Sequence, residues 1–392
     1  MGDRPPADTT ESLAPMDRRA VGVLSLAHLF VDLCQGVVAA MLPFLVAAGQ
    51  LTYAAGGGLV LAAAAASSVV QPLFGRLADR AAVPGLLPGS VLVTGLALAI
   101  GSQAPTYWAM AGLLGLSGLG VAAFHPEAAR QARRAAGARA ATGMSVFGVG
   151  GGLGFALAPP LTAGLFALAG RPGLVAAAPA AVVVAALLLR RLPPARPATH
   201  AAGPHRGRAD DWGAFLLLSL VTVARSVVFV GLNTFLALYW MERYGAAPSG
   251  GAAVLGLFLG AGLTGTLLGG WLGDRAGHRA AVRSGFLLAA GLLPAVLLAS
   301  SAGWAAVLLV PLAVAFSVPG SVLVVLGQEY LPGRVGVASG VTLGLLVSVG
   351  GMAAPLLGWA ADRHGTGAVL AILEGVLAAA AGLSLLLPRP GR

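Results

Sequence analysis

Asp32 stands in the middle of the apolar run 20–46, with His28 four positions before it and Gln35 three after. That spacing places the three side chains on one face of a helix. An ionisable group deep in such a run costs about 2.5–3.5 kcal/mol by insertion scales, so each is a candidate functional residue. Desolvation favours the neutral acid and a nearby cation favours the carboxylate, so Asp32 can be tuned to exchange protons. His28 can serve the same exchange or simply pack as a hydrogen-bonded histidine. A His28–Asp32 metal site lacks further convincing ligands, and no metal is expected.

A second cluster is Phe124-His125-Pro126-Glu127 in GLSGLGVAAFHPEAARQARR. On local sequence alone, either the span ends at Phe124 and Pro126 opens a surface helix, or the helix continues and carries His125 and Glu127 into the protein. Arg130 follows Glu127 at i+3, where the two can neutralise each other. His125 lies two residues from Glu127, about 200° around a regular helix, so the pair shares a cavity only if Pro126 kinks the helix. A third candidate is Arg225, near the middle of the run 213–240, with Thr222, Ser226, Phe229 and Asn233 on its side. A guanidinium there can grip phosphate, phosphonate or carboxylate groups, or it can balance Asp32.

The elements that must position these residues are membrane helices. The chain has 392 residues, 57% of them hydrophobic and only 10% charged, with mean hydropathy +0.87; a soluble domain carries about 25% charged residues. About 20 apolar residues cross a bilayer, and twelve runs qualify: 20–46, 57–77, 84–103, 105–131, 141–169, 172–191, 213–240, 249–272, 280–300, 303–329, 336–360 and 366–387. The polar stretch 192–212 divides them into six and six. The expected organisation is therefore a tail (1–19), a first bundle (20–191), a linker (192–212), a second bundle (213–387) and a short end (388–392). All 24 basic residues are arginine. With the N-terminus inside, twenty fall in inside segments and only Arg171, Arg243 and Arg363 outside. The positive-inside rule therefore puts both termini in the cytoplasm. This placement argues against nucleic acid as the reason for the net charge of +10. The lone Cys34 excludes a disulfide framework and a CxxC motif.

The halves echo each other. Gly75-Arg-Leu-Ala-Asp79-Arg80, Gly270-Trp-Leu-Gly-Asp274-Arg275 and Gly358-Trp-Ala-Ala-Asp362-Arg363 all read G-x-x-x-D-R at helix ends. Glycine lets helices approach closely, and the Asp-Arg pair can cap a helix or bridge to a neighbour, locking one side of a rocking protein. Fused six-span repeats are a transporter signature, with substrate held between the halves near mid-depth.

The twelve spans with GRLADR and GGWLGDRAGHR resemble the major facilitator superfamily. Within it, His28-Leu-Phe-Val-Asp32-Leu-Cys-Gln35-Gly36 through Leu42-Pro43, Phe124-His-Pro-Glu127-Ala-Ala-Arg130 and Gln328-Glu-Tyr-Leu-Pro332 resemble the fosmidomycin-resistance-type exporters. The first-half loop copy departs from the superfamily pattern: Ala81-Ala82-Val83-Pro84 follows Arg80, whereas the second keeps Gly277 and Arg279.

The resemblance implies an all-α fold of two pseudo-symmetric six-helix bundles in a bacterial inner membrane. It implies proton-coupled efflux of small drugs, with a fourth helix long enough to hold Pro126 and Glu127 inside it. The expected coupling residues are Asp32, Glu127 and His28. The expected substrate contacts are Arg225, Asp32, Gln35, Asn233 and His125, with Asp32 and Arg225 facing each other across a central cavity. The other reading is proton symport of a nutrient anion. A membrane enzyme would want Asp-rich metal motifs or nucleophile–base pairs, and none is present. The proton gradient is the energy source, with no cofactor, and a monomer is expected.

Overall fold

The computed structural model describes residues 15–80, 83, 85–137, 140–192 and 209–390, without the side chains of 66–69, 71–73, 75–80, 140–142, 335–336, 339–340 and 343–348. Most of the N-terminal tail and of the linker therefore lies outside the described residues, as do the side chains of Gly75, Asp79 and Arg80.

In lipid every backbone N–H and C=O must find its partner inside the chain, which leaves helices as the way to satisfy these apolar runs. The first crossing is α1 (Arg18–Ala40) continued by α2 (Leu42–Ala47). Then come α3 (Tyr53–Arg80), α4 (Leu86–Ser102), α5 (Tyr107–Ala136) and α6 (Ala140–Ala169). A 3₁₀ turn at Arg171–Ala176 leads into α7 (Ala177–Arg191). The second half has α8 (Trp212–Tyr244), α9 (Pro248–Ala276), α10 (His278–Leu297), α11 (Ala302–Ser317), α12 (Pro319–Tyr330), α13 (Val335–His364) and α14 (Thr366–Leu386). Pro43 and Pro319 each lack the N–H that would continue the preceding helix, and the α1/α2 and α11/α12 breaks fall beside them. Fourteen helices thus make twelve crossings. Among the described residues, nine units are long and apolar enough to span a bilayer. The helices follow the apolar runs closely, with polar ends that continue further: α5 to Ala136, α8 to Tyr244, α9 to Ala276.

There are two cores. One gathers buried side chains from Leu24 to Leu188, the other from Ala214 to Leu387; among the described residues the buried Ala156, Val230 and Ala354 and the partly buried Val46, Tyr53 and Phe229 pack into the opposite one. The outer surface is apolar, with Leu168, Leu216, Leu298 and Leu356 exposed to the surrounding lipid. Exposed tryptophans mark both ends, as in an interfacial belt: Trp212 and Trp271 at the end where α1 starts, and Trp108, Trp304 and Trp359 at the end where α3 starts.

The repeat is visible bond by bond. Asp17 caps α1 by accepting from the Arg19 and Ala20 N–H groups, and its own N–H donates to Ala135 O at the end of α5 (2.8 Å). Asp211 caps α8 through the Ala214 N–H, and its N–H donates to Tyr330 O at the end of α12 (2.8 Å). Counting from these caps, Asp32 and Arg225 lie at nearly equal depth, about 21–22 Å along their helices. The halves meet chiefly through two helix pairs, α3–α13 and α6–α9. Gly351 of α13 packs on Ala64 of α3, and Gly57 of α3 packs on the Ala354 carbonyl. Gly256 of α9 lies against Pro160 of α6.

Candidate functional site

Asp32 is held between two histidines. His28 Nε2 is 3.2 Å from Asp32 Oδ2, and His125 Nε2, from α5, is 3.1 Å from Oδ1. Both rings are fixed from behind. His28 Nδ1 lies 2.8 Å from Phe147 O on α6, and His125 Nδ1 lies 3.0 Å from Val121 O. A carbonyl only accepts, so each Nδ1 carries the hydrogen and each Nε2 turns toward the carboxylate. A bare Nε2 facing a carboxylate oxygen sets acceptor against acceptor. The geometry therefore demands a positive charge between them. His28 also stacks on the Phe147 ring at 4.2 Å, and the two imidazoles meet edge-on at 5.1 Å. Gly151 of α6 closes the cluster: a Cβ there would come within 2.5 Å of both Asp32 Oδ2 and His28 Nε2.

This arrangement places His125 more definitely than the sequence could. α5 runs unbroken through Pro126, so the tetrapeptide lies inside a helix. His125 leaves one face toward Asp32, while Glu127 leaves another. Glu127 is 2% exposed and accepts from Arg130 Nε (2.8 Å), Arg130 Nη2 (2.6 Å) and Gln131 Nε2 (2.7 Å). Gln131 is a partner that the sequence reading missed, although its i+4 spacing from Glu127 is a usable signal. Removing one member of such a buried pair strands the other charge. Arg130→Ala is therefore expected to destabilise the protein by about 3–5 kcal/mol. In detergent, its thermal midpoint should fall well below those of wild type and of the Glu127→Gln/Arg130→Ala double variant; a double variant as unstable as the single one would contradict this.

Arg225 is 9% exposed and sits in α8 between the Phe229 ring (5.9 Å from Cζ to centroid) and the Phe316 ring (5.0 Å), beside Gly320. Its Nε has no hydrogen-bond partner, and no carboxylate pairs with it among the described residues. The expectation that Arg225 balances Asp32 thus finds no direct ion pair: Asp32 is already engaged by two imidazoles. Aromatic faces recover part of the desolvation cost of a cation but supply no counter-charge. Gln35 is half-buried and Asn233 buried, and neither has a hydrogen-bond partner among the described residues. Phe155 of α6 meets Phe229 edge-on at 6.4 Å, bringing the Arg225 neighbourhood against the first half.

The motif aspartates behave differently at the two ends. Asp362, at the end of α13, accepts from the Tyr53 N–H (2.8 Å) and the Ala54 N–H (2.9 Å) at the start of α3. One half thereby caps a helix of the other. Gly358 permits this approach, since a Cβ there would lie 2.5 Å from Tyr53 O. Asp274 is exposed and caps nothing among the described residues. Arg275 and Arg363 fold back over Trp271 (4.7 Å) and Trp359 (4.5 Å) of their own motifs. A helix cap contributes about 0.5–2 kcal/mol. Asp362→Ala is therefore expected to raise labelling of an Ala64→Cys residue, in a Cys34→Ala background, by about 2- to 30-fold. Unchanged labelling would assign the closure to packing alone.

Glu329 pairs with His278 (2.8 Å), and Arg334 reaches Asp210 (3.4 Å). The glycine run of α6 is a packing face: Gly150, Gly151 and Gly154 lie against Ser25, His28, Leu29 and Asp32 of α1. Glu374 Oε2 is buried without a partner, and nothing in the structure explains it.

Two six-crossing bundles around buried, ionisable residues at mid-depth define a secondary transporter of small molecules, not an enzyme. Residues 24–355 match the Major Facilitator Superfamily, and the chain belongs to that family. It is 30% identical over 354 residues to the Fosmidomycin resistance protein of Escherichia coli (strain K12), covering 88% of this chain and 86% of that protein. It is also 30% identical over 358 residues to the uncharacterized MFS-type transporter YfnC of Bacillus subtilis (strain 168), with the same coverage. In fold it is similar to the crystal structure of a bacterial homolog of the human lysosomal transporter Spinster, with TM-score 0.80 and 16% identity over 94% of this chain and 96% of that one.

Proposed function

We propose that the protein is a proton-coupled exporter of small anionic drugs of the fosmidomycin type, working as an antiporter in a bacterial inner membrane. The observation that carries this reading is the buried guanidinium of Arg225, whose Nε has no partner and with which no carboxylate pairs among the described residues. A phosphonate or carboxylate can fill that place by bidentate bonding, flanked by Phe229 and Phe316, with Gln35 and Asn233 free to complete its hydrogen bonds. The His28–Asp32–His125 cluster demands positive charge and so suits the coupling proton, and Glu127 with Arg130 lies further toward the α5 end on the proton's way. The 30% identity to a fosmidomycin resistance protein supports the substrate class.

The arginine asymmetry orients both termini, and the linker 192–212, to the cytoplasm. On that orientation the Asp362 cap helps close the outer side. The bundles 20–191 and 213–387 then rock about the α3–α13 and α6–α9 contacts, within a single chain acting as a monomer.

The test is a susceptibility panel that includes phosphonate antibiotics, in an efflux-deficient bacterial host, paired with drug-driven proton movement in everted vesicles. Expression should raise resistance to a phosphonate, and adding that drug should discharge an imposed proton gradient. Unaltered susceptibility across the panel, with proton-driven uptake of an organic anion instead, would overturn export.

A further inference from the structure

We propose that His28, Asp32 and His125 form a binding site for a divalent transition metal of the Zn2+ class. Among the described residues they are the one group of three ligand-type side chains whose ligand atoms all lie within 4.8 Å of one another. Tetrahedral Zn2+ with bonds of about 2.0–2.1 Å sets its ligand atoms about 3.3 Å apart. His28 Nε2 meets Asp32 Oδ2 at 3.2 Å and His125 Nε2 meets Oδ1 at 3.1 Å, each near that spacing, so the carboxylate lies between the two nitrogens with either oxygen in reach of a shared ion.

The surroundings are those of a metal site as well. A ligating histidine usually gives its second N–H to a carbonyl or carboxylate, which fixes the ring and leaves the other nitrogen bare for the metal. Both rings do this here, through Phe147 O and Val121 O. The Phe147 and Phe124 rings, centred 4.2 and 6.1 Å from that of His28, enclose the site in apolar surface. Gly151 leaves free the space beside Asp32 Oδ2 and His28 Nε2 that any other residue's Cβ would fill. The His125 side chain is 25% exposed, against 11% and 8% for the other two, so the fourth coordination position opens on its side. Imidazole and carboxylate donors suit Zn2+, Co2+ or Ni2+ rather than Mg2+ or Ca2+. Bound metal would tie α1 to α5 at the point where the coupling cation is proposed to sit. Occupancy by metal is a property of these three side chains, whichever solute is carried.

Full-length protein in detergent, titrated with Zn2+ by calorimetry and with Co2+ by visible absorption, tests the site. One equivalent of metal should bind, with the intense Co2+ bands of a tetrahedral site. Affinity should fall at least about tenfold in His125→Ala and in His28→Ala, and stay unchanged in His278→Ala, which removes the other histidine–carboxylate pair. Where an alanine variant does not fold, His125→Asn gives the same comparison with a polar group retained. Undiminished binding in a folded His125 variant, or no saturable binding by wild type, overturns the proposal. Neither result depends on transport, so the proton-coupling reading stands or falls separately.

Discussion

Asp32→Asn abolishes drug-driven proton movement and resistance while the protein still inserts and folds. The substitution keeps size and hydrogen-bonding capacity but removes the negative charge that both imidazoles face. A neutral amide offers no charge to balance a cation held between the imidazoles in a low-dielectric site. Loss of coupling should be complete rather than partial, since Asp32 is the one carboxylate contacting either histidine among the described residues. The measurement is proton uptake on drug addition in vesicles, with protein level checked by immunoblot. Full antiport by Asp32→Asn would move the coupling role to Glu127, which keeps its own partners in Arg130 and Gln131.

Arg225→Met weakens binding of the anionic drug by at least about tenfold, with little change in stability. Replacing one partner of a charge-assisted, desolvated contact costs about 2–5 kcal/mol of binding. The stability cost is small for a different reason: no carboxylate is stranded by the change, and methionine fills the space between Phe229 and Phe316 with favourable sulfur–aromatic contact. The separation of the two effects is what distinguishes a ligand-gripping arginine from a structural one. Direct binding in detergent reads the first and thermal unfolding reads the second. A large fall in thermal midpoint with unchanged drug affinity would return Arg225 to a structural role.

Much of the scaffold is legible in the sequence because the bilayer simplifies the problem. Length and apolarity alone place the run 172–191 within a residue of the 3₁₀ turn and α7 taken together, Arg171–Arg191. The His28–Asp32–Gln35 face is legible as well, since helical periodicity is local. What is not legible is convergence between helices. Nothing in the fourth run says that His125 turns to Asp32 and not to Glu127; that depends on how α5 packs on α1. The same holds for Phe316, some ninety residues from the Arg225 it covers, and for Gly320 beside it. Asp32 and Arg225 lie at similar distances from their helix caps, but equal depth does not make a pair, because each helix also has a rotation that only its neighbours set. The G-x-x-x-D-R repeat announces three equivalent helix ends, yet whether an aspartate caps a partner helix depends on conformation, and here Asp362 does and Asp274 does not.

The cluster of His28, Asp32 and His125 lies wholly in one bundle, and Arg225 wholly in the other. Rocking therefore carries the cation site as a unit, without breaking its internal contacts, and alters only what it faces. Communication between cation and drug must then run through the interface, and equilibrium linkage makes it reciprocal. Charge alone would favour cation and anion together, so exchange requires that a cation on the cluster favour a conformation in which Arg225 no longer grips the drug. Drug affinity measured against pH reads the sign of that linkage without any membrane. For the exporter proposed here, affinity falls as the medium is acidified.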